Sequence, residues 1–126
     1  MQSTTDLQSA IIEAIYDKKG SKMTIIDLSD VETSPAPMLI ICQARSSAQV
    51  AAIAENVSDE VSKKLRIKPY ATDGLRNAQW VIVDYGSVMV HVFQPEVREF
   101  YRLEELWSDG KLTSDADRSL SANFSV

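Results

Sequence analysis

Trp80-Val-Ile-Val-Asp84-Tyr85-Gly86-Ser87-Val88-Met-Val-His91-Val-Phe93 decides the fold. Two apolar runs rich in β-branched residues flank Gly86-Ser87, a two-residue hairpin signal. With Gly86 and Ser87 as the loop, the cross-strand pairs are Tyr85–Val88, Asp84–Met89, Val83–Val90, Ile82–His91, Val81–Val92 and Trp80–Phe93. Side chains alternate between the faces of a strand, so the pairs sort into two sets. One set, Val81, Val83, Tyr85, Val88, Val90 and Val92, is uniformly suited to packing beneath helices. The other holds Trp80, Ile82, Asp84, Met89, His91 and Phe93, a mixture unlike a plain core. Aromatics and methionine are enriched at the centres of protein interfaces, which makes this second face a candidate docking surface. The alternative is that a further helix or the C-terminal segment covers it.

Downstream, Pro95 suits the first position of a helix with Glu96 in its first turn, and Val97, Phe100 and Tyr101 form its expected inner stripe. Leu103, Leu106 and Trp107 continue in a helical or turning segment, and from Ser108 the Ser- and Asp-rich chain reads as a mobile tail. Upstream, Thr5 and Gln8 have capping-box spacing ahead of a helix that Gly20 ends. Strands are expected at Met23 to Leu28 and Met38 to Cys42, with Pro35 and Pro37 in the loop between them. Ser46 and Gln49 repeat the capping spacing before a helix whose stripe is Val50, Ile53, Val57, Val61 and Leu65. Pro69 ends that helix, a short strand around Lys68 to Thr72 follows, and Asp73-Gly74 makes a turn. The fold class is α/β (α+β) in a single domain.

The 126 residues, with 44% hydrophobic and 25% charged, fit one soluble core. The longest apolar run is too short to span a bilayer, and the N-terminus lacks the basic and apolar regions of a secretion signal. The single cysteine, Cys42, lies within an apolar strand and behaves as a small hydrophobe, which suits a reducing, cytoplasmic location. One cysteine and one histidine cannot assemble the usual zinc sets, and no glycine-rich phosphate loop or serine-hydrolase motif occurs. No cofactor is expected. Two-metal phosphoryl or nucleotidyl transfer needs neighbouring carboxylates on one strand face, whereas Asp84 and Asp27 each stand alone. A net charge of −5 disfavours direct nucleic-acid contact and favours a basic protein partner. The reading is therefore of a binding protein rather than an enzyme.

The run from Trp80 to Phe93, followed by Glu96, Arg98, Tyr101, Leu103-Glu104 and Leu106-Trp107, matches W-x-x-x-D-x-G-x-x-x-V-H-x-F and then E-x-R-x-x-Y-x-L-E-x-L-W over 28 residues. This pattern resembles the signature of the ribosomal silencing factor (Iojap) family. The chain departs from the family where a Glu-Gly precedes the Trp strand: here it appears as Asp73-Gly74, and both residues are added to the candidate site. The resemblance implies a mixed sheet of about five strands flanked by helices, with the shape of a nucleotidyltransferase but without its catalytic carboxylates. It places a silencing domain at residues 1–107 and a flexible tail at 108–126. It also implies a partner, the universal large-subunit ribosomal protein numbered fourteen, on which the protein would sit and block joining of the small subunit. On that reading Trp80, Ile82, Met89 and Phe93 supply contact area, Asp84 meets a basic group, and His91 lies at the rim. Competing readings are a nucleotidyltransferase-like enzyme using Asp84, an RNA-binding module, and a homodimer formed through the Trp80 face when the protein is free.

Overall fold

The computed structural model describes residues 4–114. The elements in order are α1 (Thr4–Asp17), β1 (Ser21–Asp27), β2 (Met38–Gln43), α2 (Ser47–Leu65), β3 (Ala71–Asp73), β4 (Trp80–Asp84), β5 (Val88–Phe93), α3 (Pro95–Tyr101), α4 (Leu103–Leu106) and β6 (Lys111–Ser114). The strands form one six-stranded sheet in the order β3-β4-β5-β2-β1-β6. Only β2 and β5 run parallel; the remaining neighbours are antiparallel. The sheet is mixed, as expected, with one more strand than anticipated.

The hairpin has the register expected of it: Trp80 faces Phe93, Ile82 faces His91, and Asp84 faces Met89. At its tip the Asp84 carboxylate accepts the Gly86 N–H at 2.8 Å, and Gly86 takes φ +82°, a conformation that glycine adopts without a Cβ penalty. Tyr85 N–H donates to the Val88 carbonyl at 2.9 Å and closes the turn.

The two long helices cover one face. In α2 the Ser46 hydroxyl accepts the Gln49 N–H at 3.1 Å, and Val50, Ile53, Val57 and Val61 are buried, as their spacing predicts. In α1 Leu7, Ile11, Ala14 and Ile15 are buried against them. Thr5, expected as a cap, lies inside α1, and the left-handed residue ending it is Lys19 (φ 62°) rather than Gly20. Gly20 is small for a different reason: an added Cβ would lie 2.5 Å from Ile15 Cγ2. The uniform face of the hairpin, Val81 to Val92, joins these helices in the main core. A smaller core on the opposite face gathers Ile26, Leu28, Ala36, Leu39, Ile41, Phe93 and Leu103. Covered on both sides, β2 is apolar from Met38 to Cys42 and turns polar only at its last residue, Gln43.

The tail expected from Ser108 is corrected over Lys111–Ser114, which pairs antiparallel with β1 from Asp27 to Thr24. The outer edge of β1 would otherwise present unpaired backbone groups, and the returning chain satisfies them. Gly110 permits the return, because a Cβ there would meet Ile26 Cγ2 at 2.6 Å and Leu28 Cδ2 at 2.7 Å. The rest of the expected tail, residues 115–126, lies outside the described residues.

Candidate functional site

Trp80 is the hub of the second sheet face. Its ring stacks on Phe93 with centroids 4.9 Å apart and meets Tyr101 of α3 at 4.7 Å. Its indole Nε1–H donates to His91 Nδ1 at 3.0 Å. With Nδ1 accepting, the neutral imidazole carries its proton on Nε2, a buried atom with no hydrogen-bond partner among the described residues. Burial pushes the His91 pKa down to about 4, against a smaller upward pull from Asp84. The imidazole is therefore neutral at physiological pH and holds the Trp80 ring in place.

The six hairpin residues are brought onto one face but not to one depth. Trp80, Ile82, Asp84 and Met89 are half-buried, with edges open to solvent. Phe93 is fully buried, at 0% exposure, and His91 is 5% exposed. The expected cover is present in part: α3 and α4, with Trp107 just beyond, cover one end of the face through Val97, Leu103 and Trp107, and the other end stays accessible. Phe93, expected to supply contact area, and His91, expected at the rim, are thus both closed off from solvent, stacked with or bonded to Trp80. Asp84 is half-occupied by its bond to Gly86. Asp73 ends β3 on the exposed sheet edge, opposite Ile82. Gly74 follows with φ +94°, and a Cβ there would collide with the Trp80 carbonyl oxygen. Its identity is set by backbone approach to the strand that carries the tryptophan.

Helix α3 departs from its expected stripe. Phe100 is 79% and Tyr101 51% exposed, whereas Arg98 is buried at 9%. The Arg98 guanidinium donates to the Lys22 carbonyl at 2.6 Å, Thr24 Oγ1 at 3.0 Å and Gln43 Oε1 at 3.3 Å, and pairs with Glu104 at 3.1 Å. Lys22 sits at a register irregularity in β1 with φ 49°, so its carbonyl is left without a ladder partner until Arg98 reaches it. Arg98 and Glu104 belong to the signature, yet their joint role was invisible as spacing: the two are six residues apart across an elbow at Arg102 (φ 48°). The exposed aromatics beside Trp80 were likewise missed, because period alone assigned them inward.

No helix among the described residues is long and apolar enough to cross a membrane. Among those residues, no group of three or more His, Cys, Asp or Glu side chains is arranged to hold a metal ion.

Fold and face together define a small mixed α/β domain with a partly exposed, aromatic-rich patch on one face of its sheet. The chain matches the family described as "Ribosomal silencing factor during starvation" over residues 1–124, and it belongs to that family. The ribosomal silencing factor RsfS of Halalkalibacterium halodurans is 33% identical over 107 residues, covering 85% of this chain and 90% of that one. The namesake from Haemophilus influenzae is 35% identical over 98 residues, 78% of this chain and 94% of the relative. A crystal structure of a Chromobacterium violaceum protein superposes with a TM-score of 0.80 at 32% identity, covering 85% of this chain and 88% of the other.

Proposed function

We propose that this protein silences translation by seating its Trp80 face on the universal large-subunit protein numbered fourteen, where its bulk keeps the small subunit from joining. No bond is made or broken in such a mechanism; the protein acts by occupying space. The observation that carries the reading is the half-buried cluster of Trp80, Ile82 and Met89 beside Asp84, extended by the exposed Tyr101 and Phe100. Family membership supports the ribosome as the setting. Trp80, Ile82 and Met89 supply apolar contact, and Asp84 meets a basic group. His91 and Phe93 act from beneath, fixing the tryptophan so that little side-chain entropy is lost on docking. The net charge of −5 suits a basic surface on the partner.

The test is a sucrose gradient of the protein with purified ribosomal subunits from its own organism. Co-migration with the large subunit and reduced joining of the small one are expected. Trp80→Ala should weaken binding by about 2 kcal/mol, roughly 30-fold, with its circular dichroism preserved. A protein that stays at the top of the gradient at micromolar concentration, or a folded Trp80→Ala that binds as well as the parent, would refute this choice of partner or of face.

A further inference from the structure

The Trp80 face does not end at the hairpin. Where it meets α3 the surface sinks into a cleft of about 380 Å³, walled by Trp80, Phe100 and Tyr101 and edged by Asn77, Gln79 and Glu96. The aromatic walls are set at angles to one another: Tyr101 is inclined 44° to Trp80 and stands at 85° to Phe100. Both α3 aromatics are largely exposed, so their faces are presented to solvent rather than to the core.

Charge chooses the occupant. Among the described residues, the only ionisable groups lining the cleft are the Glu96 carboxylate and the Tyr101 phenol, and Glu96 makes no ion pair. Glu99 adds a second carboxylate in the shallow depression that adjoins it. Arg102, the cation of that depression, is already engaged by the Glu99 carbonyl at 3.0 Å and by Glu105 at 3.5 Å. Arg76 lies in the turn after Gly74 and is not part of the cleft wall. Aromatic faces attract cations through their quadrupoles, and a carboxylate at the edge adds a directional acceptor. A phosphate would find a carboxylate and no cation among the lining residues.

We propose that this cleft is a receptor for a single arginine side chain of the protein partner, the guanidinium lying against Trp80 and Tyr101 and forking to Glu96. A guanidinium suits the walls better than an ammonium, since it is planar, weakly hydrated and able to stack while donating in its plane. The volume is near the lower limit of small-ligand pockets, about 300 Å³, which fits one side chain rather than a cofactor. The site deepens the docking function proposed above and rests on it for the source of the arginine, though not for its chemistry.

The experiment uses the full chain and blocked arginine (N-acetyl-arginine methylamide), followed by the NMR signal of the Trp80 indole N–H. The chain's other tryptophan, Trp107, is distinguished by Trp107→Phe. Blocked arginine should shift the Trp80 signal saturably in the millimolar range, and its neutral isostere, blocked citrulline, should bind at least about threefold more weakly. Glu96→Gln should remove most of that discrimination and leave the weak citrulline response unchanged. Absence of saturation, equal responses to the two ligands, or full discrimination in Glu96→Gln would each overturn the site. A protein that discriminates arginine yet ignores large subunits would keep the cleft and lose the docking function. One that co-sediments with the large subunit without discriminating would do the reverse.

Discussion

His91 illustrates what a single residue contributes to this face. Its Nδ1 accepts the Trp80 indole proton, and its Nε2–H is buried without a partner among the described residues. Adding a proton would place a second donor against the indole N–H and a charge in an apolar layer. The folded-state pKa, about 4, is depressed below the ordinary 6.5. The unfolded chain therefore binds more protons than the folded one between those values, and stability falls as pH drops through that window. The expected loss from this group is about 3 kcal/mol between pH 7 and about pH 4. Urea unfolding at the two pH values checks it against His91→Phe, whose loss should be smaller by about that amount. Equal losses in the two proteins would mean that His91 is not held neutral by its burial. The sequence marked His91 as unusual among valines, but alternation could show only which face it occupied, not its depth.

The element that sets the limits of the face is the α3–α4 elbow. Seven residues of α3 make fewer than two turns, too few for apolar spacing to choose an inner stripe. What chose it was a set of acceptors on β1 and β2, namely the Lys22 carbonyl, Thr24 Oγ1 and Gln43 Oε1, which draw Arg98 inward. Burying Arg98 turns Phe100 and Tyr101 outward and brings Leu103 over Phe93. Removing the guanidinium would strand these acceptors and the Glu104 carboxylate, one of whose oxygens is already buried and unpartnered. Arg98→Met should therefore cost about 3 kcal/mol, read from the urea midpoint. Arg98→Lys should recover only part of this, because an ammonium cannot fork across the same acceptors. A loss under about 1 kcal/mol would show the network to be dispensable.

At the scale of the molecule the two faces of the sheet are covered by different means and to different extents. α1 and α2 cover one face, where Lys64 pairs with Glu13 at 2.7 Å across the two helices. The opposite face is covered only in part, by the β1–β2 loop, α3 and α4, and stays open around Ile82, Asp84 and Met89. The edge beyond β1 is completed by β6, four residues of the segment expected as tail. A chain ending at Trp107 should lose roughly 2 kcal/mol, the net worth of a short ladder, and should self-associate through the uncovered β1 edge. Calorimetry and sedimentation of the truncated protein check both effects. Unchanged stability and a monomeric state would return Lys111–Ser114 to the status of an appendage.

Local signals in the sequence were enough for the hairpin and its register, the two long helices and their buried stripes, and the identity of the face that carries Trp80. These follow from local rules: alternation in strands, the helical period, a capping serine at Ser46 and a turn glycine at Gly86 each act within a few residues. Only the tertiary structure decided the depth of Phe93 and His91, the inward turn of Arg98, the outward turn of Phe100 and Tyr101, and the strand at Lys111–Ser114. Each of these depends on a partner distant in sequence: Arg98 on Lys22 and Thr24, β6 on β1, Phe93 on Leu103. Short elements carry too little periodic signal to orient themselves, so unpaired donors, acceptors and strand edges elsewhere in the fold orient them.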